Sequence, residues 1–172
     1  REPRDVYRAM YAAPGRIAEN LAELDRRIAR LVPRGGDRIR VAVTEWGPFF
    51  SFHPHERYTD HIKTLGSALF VASVLAVFAE APRVEVANHF ALADPLFNGA
   101  LMPRSGTPVE DFVNGKPGLF APSAQYHALQ LFTRYHAEIA VASRCQGPTF
   151  DTPALGWVQE TKGVPWLIAT CA

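Results

Sequence analysis

Cysteine is scarce in this chain. Cys145 and Cys171 are the only two in 172 residues, too few for a disulfide framework and without the paired spacing of a zinc site. Both read as small buried hydrophobes, with a single bridge between them left open. An excess of one charge is missing too: 18 Lys and Arg face 17 Asp and Glu, for a net charge of +1. The longest basic run is the Arg26-Arg27 pair. That excludes an obvious nucleic-acid or anionic-membrane surface and points to a neutral or mixed-charge substrate. A membrane-length hydrophobic run is also lacking. The uncharged stretch Thr64 to Ala79 contains Gly66, Ser67 and Ser73 and falls short of the ~20 apolar residues a span needs, so a buried helix explains it better. The opening residues do not resemble a signal peptide, which leaves the compartment open and favours a cytoplasmic location slightly. The start on Arg1 instead of Met suggests trimming or a fragment. Neither an internal repeat nor a low-complexity segment is found.

What is present is a 48% hydrophobic composition, enough to bury the core of one domain with a small appendage. From Pro14 to Val32, Ile17, Leu21, Leu24, Ile28 and Leu31 recur in steps of four and three, with charged residues between them. This spacing predicts a surface helix stopped by Pro33 and Arg34-Gly35-Gly36-Asp37. A strand follows over Ile39 to Gly47. After an aromatic-rich loop, Thr59 and Asp60 are placed to cap a helix that continues to about Glu80 and is apolar almost all round. Arg83 to Asn88 reads as a second strand, Asp94 to Pro122 as a Pro- and Gly-rich excursion, and Ser123 to His136 as a helix behind Pro122. Beyond it the pattern turns to β, with weak alternation over Ala137 to Ser143 and a strand over Val164 to Thr170 that carries Pro165 near its start.

The first strand carries the chemistry. Ile39, Val41 and Val43 share the parity of Glu45, so the β-branched face also carries the acid, which projects at the strand's C-terminal rim before Gly47-Pro48 turns the chain. A carboxylate at that rim is where an α/β barrel keeps catalytic groups. A salt-bridged or solvated strand-end Glu is the competing reading. Trp46 stands beside it, and with Phe49, Phe50, Phe52 and Tyr58 offers either an apolar wall for a sugar face or loop packing. Asn88, at the second strand's end, suits a sugar hydroxyl or a turn. His53-Pro54-His55 with His61 could supply imidazoles to zinc, but the His53 and His55 pair sits in a loop instead of on a rigid element and has no demonstrated third ligand, so no metal and no cofactor is expected. Asp60, Asp94 and Asp111 read as cap and loop residues.

Helix, strand, helix, strand, helix is α/β grammar, yet two good central strands do not make a stable parallel sheet. Two readings follow. One is a small irregular α/β domain; the other is the last quarter of a (β/α)8 barrel, a fold that typically takes ~250 residues, running into a C-terminal β-domain.

Ile39 to Trp46 (IRVAVTEW), Leu65-Gly66-Ser67-Ala68-Leu69, Val84-Glu85-Val86-Ala87-Asn88 and Leu131-Phe132 resemble, in order and spacing, the C-terminal half of the retaining α-L-arabinofuranosidases of glycoside hydrolase family fifty-one. The resemblance runs from about Tyr7 to the end. It implies that residues 1–136 form the C-terminal part of a clan A (β/α)8 TIM barrel and residues 137–172 the start of a β-sandwich, with Gly147 to Pro165 leading into it. It also implies that Glu45 is the nucleophile of an enzyme releasing arabinofuranosyl residues from hemicellulose or arabino-oligosaccharides. Trp46, Asn88 and His89 are then the substrate contacts. Ala91 departs from the family pattern, which has a glutamine there, and His89 is expected to contribute in its place.

Retaining hydrolysis uses two carboxylates about 5 to 5.5 Å apart. The family's acid/base Glu belongs to the half of the barrel this chain does not contain, and no Asn-Glu pair occurs here. The expected partners are therefore a carbohydrate, and either the missing N-terminal barrel segment or a second copy of the chain. The competing function is a catalytically silent α/β fragment or carbohydrate-binding module.

Overall fold

A computed structural model describes residues 2–48, 63–94, 99–104, 108, 110–111, 114, 116, 118–139, 141, 143–156 and 158–170. Among these lie three helices, α1 (Pro3–Leu31), α2 (Leu65–Glu80) and α3 (Ala124–Tyr135). Six strands accompany them: β1 (Val41–Trp46), β2 (Val84–His89), β3 (Leu101–Pro103), β4 (Phe120–Pro122), β5 (Thr149–Thr152) and β6 (Thr161–Pro165). The strands pair only two by two, β1 with β2, β3 with β4 and β5 with β6. The chain divides into two compact units, one of Arg1–Val43, Ser73–Ala87 and Tyr135–Ala172, the other of Thr44–Ala72 and Asn88–Arg134.

This pairing overturns the expected fold. The C-terminal part of a (β/α)8 barrel would continue one parallel sheet from strand to strand, and a β-sandwich would face two multi-stranded sheets. The described residues instead form three separate two-stranded sheets. After α3 the described residues supply one hairpin and three isolated bridging positions, Val141, Leu155 and Val158. Two short strands offer one apolar face and no second sheet to cover it, so a sandwich has nothing to build on.

In the first unit, α1 begins eleven residues before the predicted start, with Pro3 in its opening turn and Pro14 inside it. Proline lacks the N–H for the helical bond and crowds the preceding turn. The helix runs through because Ala9, Met10, Ala12 and Pro14 are all buried. Ala12 packs with Phe150 of β5 and Val164 of β6, flanked by Tyr11 and Val158. The Arg16 guanidinium donates to Gln159 beside this contact. In the hairpin, Phe150 faces Val164 in antiparallel register, and Gly163, at φ 67°, donates its N–H to Asp151 Oδ1 at 2.9 Å. That left-handed residue sits where the register shifts between Phe150 and Thr152, and the strand lies earlier than the predicted Val164 to Thr170. The other end of α1 is tied by Arg83, which pairs with Asp25 and donates to the carbonyls of Gly36 and Ile39. Cys145, expected inside, is exposed and free.

The predicted burial of α2 holds for its centre, where Ser67, Val71 and Val74 are fully enclosed. Its expected cap at Thr59 and Asp60 lies outside the described residues. Val41 N–H donates to the Arg83 carbonyl at 2.7 Å, and Phe90 N–H donates to the Trp46 carbonyl at 2.8 Å. Residue numbers rise together along both strands, so β1 and β2 are parallel, as a helical crossover between them requires.

In the second unit, the segment after β2 is knitted to β3. Ala100 N–H bonds to Ala91, Leu101 to Leu92, and Asp94 to Leu101. Leu101, Met102 and Pro103 then face Pro122, Ala121 and Phe120 in antiparallel order. The excursion read from composition thus contains a small sheet.

Candidate functional site

Because β1 and β2 run in parallel, their C-terminal ends, Glu45-Trp46 and Asn88-His89, come to the same edge. The second unit holds all four. The strand start is half-buried at Val41 and Val43, whereas Glu45 is exposed. Among the described residues its carboxylate takes part in no ion pair or hydrogen bond. Strand alternation sends Glu45 and Trp46 to opposite faces. A ligand touching both must therefore lie over the end of the strand, not on one face of the sheet. Asn88 is exposed there as well.

Gly47 makes this end of the strand possible. A Cβ at position 47 would lie 2.7 Å from the Phe90 carbonyl oxygen and 3.9 Å from His89 Nε2. The missing side chain lets the turn after β1 pass directly against the end of β2. The Phe90–Ala91 peptide that follows is cis.

Of the four, only Glu45 and His89 can titrate, and His89 is the less exposed. Its Nε2 lies 3.0 Å from Gln125 Oε1, and its Nδ1 is buried. Its ring stands 5.1 Å from the Trp46 ring at an interplanar angle of 87°, the perpendicular arrangement that aromatic rings favour. Burial pushes the His89 pKa below the ordinary histidine value, while Gln125 and the Ala91 backbone pull it part of the way back. A neutral ring with Gln125 oxygen as acceptor carries its proton on Nε2.

Gln125 escaped the sequence reading. It is 1% exposed, the largest fully buried side chain among the described residues, and sits in the first turn of α3 on the face of buried Ala128. The available signal was a polar residue three positions before an alanine on the inward stripe, which composition alone does not distinguish from a solvated glutamine. Of the aromatic wall, Trp46 is described, while Phe49, Phe50, Phe52 and Tyr58 lie outside the described residues, as do His53, His55 and His61. Among the described residues no group of three His, Cys, Asp or Glu side chains is gathered to hold a metal. None of their helices is long and apolar enough to cross a membrane.

No family model, curated protein or solved structure matches the chain.

Proposed function

We propose that this chain carries the nucleophile side of a retaining glycosidase that acts on arabinofuranosides. The observation behind the reading is the exposed Glu45 carboxylate at the C-terminal end of a parallel strand, with Trp46 beside it and Asn88 on the neighbouring strand end. In this reading a Glu45 oxygen attacks the anomeric carbon, the bond to the leaving oxygen breaks, and a glycosyl ester forms on Glu45. Trp46 offers its indole to the sugar and Asn88 a hydrogen bond to a hydroxyl.

One carboxylate is half of that chemistry. Without acid assistance, worth ~10² to 10⁴ in rate, the chain is expected not to turn over an unactivated arabinofuranoside. An activated leaving group departs without a proton. A 2-fluoro arabinofuranoside bearing dinitrophenolate should therefore esterify the chain on Glu45, with release of one equivalent of phenolate. Peptide mapping should find the label there, and Glu45→Gln should abolish it. A label elsewhere, or none, would overturn the reading. A second reading, a carbohydrate-binding module, is favoured by the lack of any hydrogen-bond donor holding the Glu45 carboxylate among the described residues. It predicts sugar binding that Glu45→Gln leaves intact, with no ester formed.

A further inference from the structure

We infer that Gln125 and His89 are positioning residues: Gln125 fixes the orientation and tautomer of the His89 ring, and that ring sets the indole of Trp46 at the end of β1. The three come from three elements of the same unit, α3, β2 and β1.

The geometry runs in one direction. Gln125 is the anchored end, since it is 1% exposed, and an amide buried to that degree cannot swing without leaving polar atoms unsatisfied. It holds His89 through a hydrogen bond of 3.0 Å. The ring offers no nitrogen outward, because Nε2 is engaged and Nδ1 is buried. What His89 presents to the site is the perpendicular ring contact with Trp46 at 5.1 Å. Its work is then orientation of a neighbour rather than contact with a sugar. Rotating the imidazole would exchange a C–H for the Nε2–H and break the bond to Gln125, so only the observed setting keeps that bond. Gly47 contributes by exclusion, since a side chain there would collide with Phe90 at the same place.

Two measurements test this. The first uses the unaltered protein. Nitrogen-15 spectra of the His89 ring at neutral pH should show a protonated Nε2 and an unprotonated Nδ1. The opposite tautomer, or a mixture of the two, would overturn the inference. The second reads Trp46 in a background with Trp157→Phe and Trp166→Phe. There, Gln125→Leu and His89→Leu should each reduce the near-ultraviolet dichroism of the indole, while far-ultraviolet dichroism is kept. Gln125→Glu, which retains an acceptor oxygen of the same reach, should restore it. An unchanged Trp46 signal in both leucine variants would sink the idea.

Its bearing on a sugar rests on the proposed function, and the outcomes separate. Esterification of Glu45 should slow by roughly 10- to 100-fold in Gln125→Leu, the scale expected of a misplaced contact near a reacting centre. If the wild-type chain is never esterified but the Trp46 signal still responds to Gln125→Leu, the glycosidase reading falls and the positioning stands. If Glu45 reacts at the wild-type rate in Gln125→Leu, the positioning falls and the glycosidase reading stands.

Discussion

Burial gives His89 a lower proton affinity in the folded chain than in water. In the unfolded chain it takes up a proton as the pH falls through about 6.5, before the folded protein does. Between those two values the unfolded state binds more protons, so lowering the pH favours unfolding. The contribution of neutral His89 is fully present above pH ~6.5 and is lost as the pH falls toward the folded pKa. Urea midpoints across this range should therefore decline more steeply for the wild type than for His89→Phe, which has nothing to protonate. Equal slopes would show that another group carries the dependence. At this scale the strand-end placement of Glu45, Trp46, Asn88 and His89 was legible, because each closes an apolar strand. Gln125 was not legible, since its role depends on an imidazole 36 positions earlier that no local pattern reveals. Cys145 was misjudged for a related reason. A small apolar side chain suits a core, but Arg144, Gln146 and Gly147 around it are all exposed.

Among elements, the strand pair depends on one arginine. Arg83 precedes β2 and reaches back to Asp25 on α1 and to the Gly36 and Ile39 carbonyls before β1. It is well shielded, while Asp25 is 43% exposed, so solvent weakens the ion pair and the carbonyl bonds matter more. Arg83→Ala should cost about 1–3 kcal/mol, chiefly from loss of the guanidinium's bonds to these two carbonyls. Arg83→Lys should recover little, since a single ammonium cannot match the planar fork. Chemical denaturation of both variants checks this. The periodicities of β1, β2 and α3 gave their positions to within a few residues, and that of α2 gave its end at Glu80, because each is bounded by proline, glycine or a charge. The start of α1 was lost because Pro14 resembles a first-turn proline. The helix is held around it by the packing of Ala12 against Phe150 of β5 and Val164 of β6, which lie far along the sequence.

For the whole molecule, extrapolating two parallel strands to a barrel failed because the same helix-strand grammar serves many sheets, and nothing in a strand's composition states how many neighbours it has. The three small sheets leave apolar surface outside. Ile139, Val141, Trp166, Leu167 and Ile168 are all at least half exposed, an arrangement that favours association. The purified chain should self-associate with rising concentration in sedimentation experiments and bind a hydrophobic dye while folded. A monodisperse monomer with a cooperative melt would contradict this. The division into two units carries a different consequence. The chain passes between them at 43/44, 72/73, 87/88 and 134/135, inside or at the edge of β1, α2, β2 and α3. Neither unit is a continuous length of polypeptide, so no single truncation can isolate one of them intact. A ribosome must also release most of α3 before the unit bearing Glu45 has all its parts, so β1 waits for α3 before that site is complete.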